Sequence, residues 1–266
     1  MSPRRSRGRG AGGSQGTPRS SQSQSSKSSQ SRASQGSQGS RQGTPQPPRL
    51  GYDETKSLAR LTVRFMLMQD FDKVPIKHSD ILKNILKNTL KSAADVMPIA
   101  IKMLRDIYGI RVVDGGYRTK HYLLINSLKH QEHVSNSAAV QADLGLLAII
   151  LSLIFMQTNG RWKDAGIEQG KVITFLKSIG IDDDHEYFGN LKKNLKTYES
   201  QDYLDVVKID NTDPVKYEYR WGIRACEELS PRDVLQFASE MYGRDSIESW
   251  SAHYKAVCAH ERGGSE

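Results

Sequence analysis

Three lysines in the stretch "NLKKNLKTYES" are placed to do chemistry together. Lys192 and Lys196 stand four residues apart, which puts them on one face of a helix, and Lys193 lies beside them. Ammonium groups on one face of a short helix can neutralise phosphates along a duplex, a contact that carries affinity but no base information. No arginine pair or base-reading amide accompanies them, so the face is expected to grip DNA without reading sequence. Without a partner, the same lysines simply solvate a helix.

Little else is arranged for reaction chemistry. There is no phosphate-binding loop, no nucleophile elbow in a strand-to-helix setting and no Cys-x-x-Cys pair. The seven histidines are scattered, and the stretch Asp182, Asp183, Asp184, His185, Glu186 reads as a solvated connection rather than a metal site. Cys226 and Cys258 are too far apart in sequence to suggest a disulfide framework, which fits a reducing compartment. The expectation is a binding protein without catalysis of its own, with no metal and no cofactor.

The second candidate group is apolar. In "GLLAIILSLIFM", residues 145–156, only Ser152 is polar. With Leu144 the run has thirteen residues, short of the roughly twenty needed to cross a bilayer as a helix, so no membrane partner is expected. Leu147, Leu151, Ile154 and Phe155 form one stripe; Leu146, Ile149, Ile150 and Leu153 form another. A helix apolar on two faces must be covered on both. Its own domain covers one face, and either the neighbouring domain or a protein partner covers the other. On this reading Leu146, Leu147, Ile150 and Leu153 are candidate partner-binding residues, with Leu147 chiefly in the core and Leu146 nearer the interface.

Charge separates a leader from a body. Nine basic side chains and no acidic one fall within residues 1–50, so a chain of net charge +8 leaves residues 51–266 one unit negative. Any DNA contact by the body must therefore come from a local patch, not bulk charge. The leader is Ser, Gly, Gln, Arg and Pro, and such a composition predicts disorder because it offers no apolar surface to offset ordering entropy. Its six Ser-Gln dipeptides, at Ser14, Ser21, Ser23, Ser29, Ser34 and Ser37, resemble checkpoint-kinase consensus sites. Phosphorylation there would offset the arginine field. Deleting residues 1–50 is expected to leave the melting temperature nearly unchanged and to weaken nonspecific DNA binding; a much earlier melt would refute the disorder reading.

Periodic patterns begin at Tyr52. Leu58, Leu61, Phe65 and Met68 mark an amphipathic helix. A second helix carries Ile81, Leu82, Ile85 and Leu86 after a Ser79 cap. A third has Pro98 near its first turn and ends at Gly109, and two strands then flank Asp114-Gly115. The order recurs: the apolar helix, a helix with Val172, Phe175 and Leu176, the lysine helix from Asn190, then strands at 203–209 and 217–221. The expected fold is mostly α with small β-hairpins, two tandem winged helices at 52–128 and 142–243, joined by a polar linker at 129–141. The second includes a C-terminal helix capped by Ser230, and an extension at 244–266 follows.

Several blocks in order, "VPIKHSDILKNIL", "HYLLINSL", "GLLAIILSLIFM", "YFGNLKKNLKTY", "DPVKYEYRWGIRA" and "DVLQFASEMYG", resemble the MAGE (melanoma antigen) homology domain across residues 52–243. "VPIKHSDIL" and "DSIESWSAHYKAV" look most like the branch that serves as the third non-SMC element of the SMC-five/six complex. The resemblance implies a nuclear, chromatin-associated subunit in DNA repair and chromosome maintenance. It implies a RING-type ubiquitin ligase and a kleisin as partners, alongside the SMC heterodimer. It also matches Leu146-Leu147 to a leucine pair needed for ligase binding. Asn190-Leu191 stands where the family has aspartate-proline, Ile223 where it has proline, and residues 198–202 lack the family's arginines. The alternative is a sequence-specific winged-helix transcription regulator, which would need base-reading side chains on the lysine helix.

Overall fold

The structure, a computed structural model, describes residues 51–87, 90–115, 120–128, 137–243 and 246–263. The basic leader with its six Ser-Gln sites, and residues 129–136 of the expected linker, lie outside the described residues.

The first half runs α1 (Tyr52–Gln69), β1 (Ile76–Lys77), α2 (His78–Asn84), α3 (Leu90–Tyr108), β2 (Ile110–Asp114) and β3 (His121–Asn126), with a 3-10 turn at Asp70–Asp72. Its sheet has the order β1-β3-β2, all antiparallel, with Val112 opposite Leu124. Ala59, Val63 and Met66 of α1 pack with Ile81 and with Val96, Ala100 and Leu104 of α3 to make the core. Gly109 closes α3 at φ 65°, a conformation that favours glycine, and a Cβ there would stand 2.5 Å from Leu128 Cδ2.

Two local expectations for this half need correction. The second helix starts at His78, with Lys77 rather than Ser79 at its cap position. The His78 N–H donates to the Lys120 carbonyl at 2.9 Å, so the residue before β3 satisfies one of the free N–H groups at the helix start. Pro98 sits in the middle of α3, not its first turn. Proline removes the donor for the Ala94 carbonyl, and because both residues are exposed, water can satisfy that oxygen.

The second half runs α4 (Ala138–Gln157), β4 (Ile167–Glu168), α5 (Gln169–Ser178), β5 (Asp184–His185), β6 (Gly189–Asn190), α6 (Leu191–Ser200), β7 (Leu204–Ile209) and β8 (Lys216–Trp221). Three helices follow, α7 (Ile223–Glu228), α8 (Pro231–Met241) and α9 (Ser251–Gly263). Its main sheet is ordered β4-β8-β7. Setting aside the small β5–β6 ribbon, the element order and strand order repeat those of the first half. The chain is thus mostly helical with small antiparallel sheets.

Helix α4 is longer than the apolar run implied. Ser137 caps it, accepting from the Val140 N–H at 3.4 Å, so the end of the expected linker forms its first turn. Its twenty residues, with a mean hydropathy of 2.1 over an 18-residue stretch, satisfy the length and composition of a membrane span, and the count of thirteen does not exclude one. In this fold the helix is the centre of a core. Leu146, Ile150, Ile154 and Phe155 pack with Val172, Leu176, Leu195, Trp221 and Leu235, and Trp221 Nε1 donates to the Leu151 carbonyl at 2.9 Å. Helix α9 belongs to the same core: Val257 is fully buried, and His253 Nε2 lies 2.9 Å from the Met156 carbonyl.

Candidate functional site

The lysine face is built by the core beneath it. Leu191, Leu195 and Tyr198 of α6 are buried, which turns Lys192, Lys193 and Lys196 outward, all exposed. Asn190 caps the helix, its Oδ1 accepting from the Lys193 N–H at 3.0 Å. At the other end the Tyr198 hydroxyl lies 2.6 Å from Asp143 Oδ1 and 2.9 Å from its carbonyl, tying α6 to α4. Burial, then the bonded Asp143, raise the Tyr198 phenol well above its ordinary pKa. The acidic loop sits against the start of α6: Asp183 pairs with Lys177 at 2.7 Å, and Asp184 Oδ1 accepts from Asn190 Nδ2 at 2.7 Å. Among the described residues, none of the three α6 lysines forms an ion pair. The face can therefore meet phosphates along its middle, while the acidic loop disfavours an anion at the helix end.

The apolar candidates resolve differently. Leu146, Leu147, Ile150 and Leu153 are all buried, and Leu146 is 0% exposed against 6% for Leu147. The assignment of Leu146 to the interface side is corrected: both stripes of α4 are covered within the second half. The periodicity showed which residues share a face, but not what covers it. Exposed apolar side chains lie elsewhere. Val140 and Leu144 stand on the first turns of α4, and Met68, Phe71 and Val74 crowd the end of α1, with Phe71 at 87% exposed.

A third group escaped the sequence reading. Arg224 of α7 is 0% exposed and reaches across to the first half. Its Nη1 donates to the Leu124 carbonyl at 3.1 Å and its Nη2 to the Lys73 carbonyl at 2.9 Å. Within its own half, Nε donates to the Gln201 carbonyl at 2.9 Å and Nη1 to Glu228 Oε1 at 3.1 Å. Tyr203 lies under the guanidinium and donates its hydroxyl to Glu228 Oε2 at 2.7 Å. Burial, then Glu228, raise the Tyr203 phenol pKa. The available signal was one arginine directly after Trp221-Gly222-Ile223, a pattern that reads equally well as surface.

Residues 62–232 match the model of the MAGE homology domain. The chain belongs to the MAGE homology domain family. This MAGE domain is 33% identical over 207 residues to the human "Non-structural maintenance of chromosomes element 3 homolog", covering 75% of this chain and 65% of that protein. The mouse protein of the same name is also 33% identical, over 75% of this chain and 71% of its own length. Human "MAGE-like protein 2" is 32% identical, but only 16% of it is covered. The chain therefore spans about two thirds of the human element 3 homolog. Among solved structures, a chain of the "Nse1-Nse3-Nse4 complex" superposes with a TM-score of 0.69 at 29% identity, over 78% of this chain and 99% of that one.

The departures from the family pattern now have a structural place. Asn190 keeps the helix-capping role that an aspartate would fill, and Leu191 enters the core. Ile223 opens α7 one residue before Arg224. Within residues 198–202, Tyr198 turns inward to Asp143 and Gln201 bonds Asp72 and Arg224, while Glu199 and Ser200 are exposed without adding a basic surface.

Proposed function

We propose that this MAGE domain is a non-catalytic subunit of an SMC-five/six-type complex in the nucleus, acting in DNA repair and chromosome maintenance. It binds and stimulates a RING-type ubiquitin ligase, bridges to a kleisin and through it to the SMC heterodimer, and holds duplex DNA nonspecifically. The observation that carries this reading is the likeness to a chain of the "Nse1-Nse3-Nse4 complex" along 99% of that chain. The repeated element order and matching strand order support two tandem winged helices. The exposed lysines of α6, the third helix of the second repeat, support phosphate contact.

With the α4 leucines inside the core, they support ligase binding only by holding the fold. The contact surface falls to exposed apolar side chains, and Met68, Phe71 and Val74, with Phe71 the most exposed among the described residues, form the group we assign to it. Co-purification of the full chain from nuclear extract is expected to recover a RING protein and a kleisin by mass spectrometry. Met68→Asp with Phe71→Asp should melt as the parent does and lose the RING protein. Recovery of basal transcription factors alone would favour the sequence-specific regulator, and full RING recovery by the double variant would remove this surface.

A further inference from the structure

The two hydrophobic cores share no residue, and Leu123 and Ile125, buried on the other face of β3, belong to neither, so the halves meet at a seam rather than through one continuous core. The bonds that cross this seam are polar. Besides Arg224, Gln201 Nε2 donates to the Asp72 carbonyl at 2.9 Å, Arg111 pairs with Glu227 at 2.7 Å, and His121 lies 3.3 Å from Asp202. Polar contacts between halves with separate cores permit relative motion, because neither core is broken when they part.

Arg224 fills a specific gap in the first half. Strand β1 pairs with β3 only at Tyr122 and His121, so farther along that edge no strand meets the Leu124 carbonyl. The Arg224 guanidinium takes this place, bonding Leu124 and Lys73 while Asp70 Oδ1 lies 3.7 Å from Nη2. With Gln201 and Glu228 it meets acceptors from both halves on all three of its nitrogens. Take the arginine away, and the Leu124, Lys73 and Gln201 carbonyls lose this donor, while among the described residues Asp70 keeps only Lys73 and Glu228 only the Tyr203 hydroxyl. Those buried acceptors are then short of donors, which favours admitting water by parting the halves.

We infer that the seam is a joint, and that Arg224 is its removable pin, seated in a guanidinium socket made by both halves. Withdrawing the pin parts the halves and leaves each core folded. Helix α6 ends at Gln201 inside the seam, so opening the joint swings the lysine face relative to the first half. Only this last consequence rests on the function proposed above; the joint itself does not.

Distance measurement between spin labels at exposed Lys102 and Lys171, introduced without cysteine chemistry in the full chain, tests the joint directly. The parent should give one narrow distribution. Arg224→Ala should give a longer and broader one, with amide protection in α3 and α4 kept. Millimolar guanidinium should narrow the alanine variant's distribution again, whereas urea at the same concentration should not. Arg224→Lys, which keeps the charge but loses the planar fork, should fall between parent and alanine variant. A narrow distribution in Arg224→Ala, loss of amide protection in either core, or no difference between guanidinium and urea would each overturn the inference. None of these readouts involves a ligase, kleisin or DNA, so failure here is separate from failure of the functional reading.

Discussion

Leu146→Ala combined with Leu147→Ala unfolds the second half of the protein while the first keeps its helices. A buried leucine truncated to alanine costs about 2–5 kcal/mol, so the pair removes about 4–10 kcal/mol. Whole domains are stable by only about 5–15 kcal/mol. Both side chains belong to the second core, where Trp162, Trp221 and Ile150 also lie. All three tryptophans of the chain fall in that half, so their emission reports its unfolding separately from the helicity of α1 and α3. Red-shifted tryptophan emission with partial loss of helical circular dichroism is the expected result. Native emission and an unchanged melt would mean that these leucines face outward after all. Loss of ligase binding in this variant would follow from the lost fold and would not locate an interface.

The second large effect is on DNA. In the protein lacking residues 1–50, Lys192→Glu, Lys193→Glu and Lys196→Glu together should weaken binding to unrelated duplexes by about two orders of magnitude near 0.1 M salt. The logarithmic salt slope should flatten by about 0.9 for each phosphate that is no longer neutralised. The weakening should be uniform across sequences, because phosphate contacts carry no base information. Folding should survive, since the three side chains are exposed and form no ion pair among the described residues. The RING binding proposed for the end of α1 should survive with it. Unchanged affinity and slope would return the lysines to a solvating role. An effect confined to one preferred sequence would revive the transcription regulator.

The helices were legible because apolar periodicity records which residues share a face. The lysine helix is the clearest case: the four-residue spacing of Lys192 and Lys196 put them on one face, and the structure turns that face outward. Strands β1 and β4 were invisible because two residues carry no alternation, and only their partners β3 and β8 define them. Helix α4 was misjudged for a related reason. A helix apolar all round announces that it is covered, but its sequence does not say whether its own domain or another molecule does the covering. Arg224 lay beyond local reading altogether, since its acceptors are supplied by residues 100 and 151 positions earlier. A lone arginine is ordinarily a surface residue, and only the meeting of the two halves makes this one interior.

The place of α9 in the second core sets an order of events during synthesis. The described core of the first half is complete once β3 has been made, and it draws on nothing later. The second half cannot close until Val257 has left the ribosome, although α4 emerges about a hundred residues earlier. At about 5–20 residues per second, the most apolar helix of the chain waits roughly 5–20 s for its last neighbour. Throughout that interval the nascent chain carries a finished N-terminal half beside an unshielded hydrophobic segment. That makes α4 the segment where chaperone engagement, or aggregation on the ribosome, would begin.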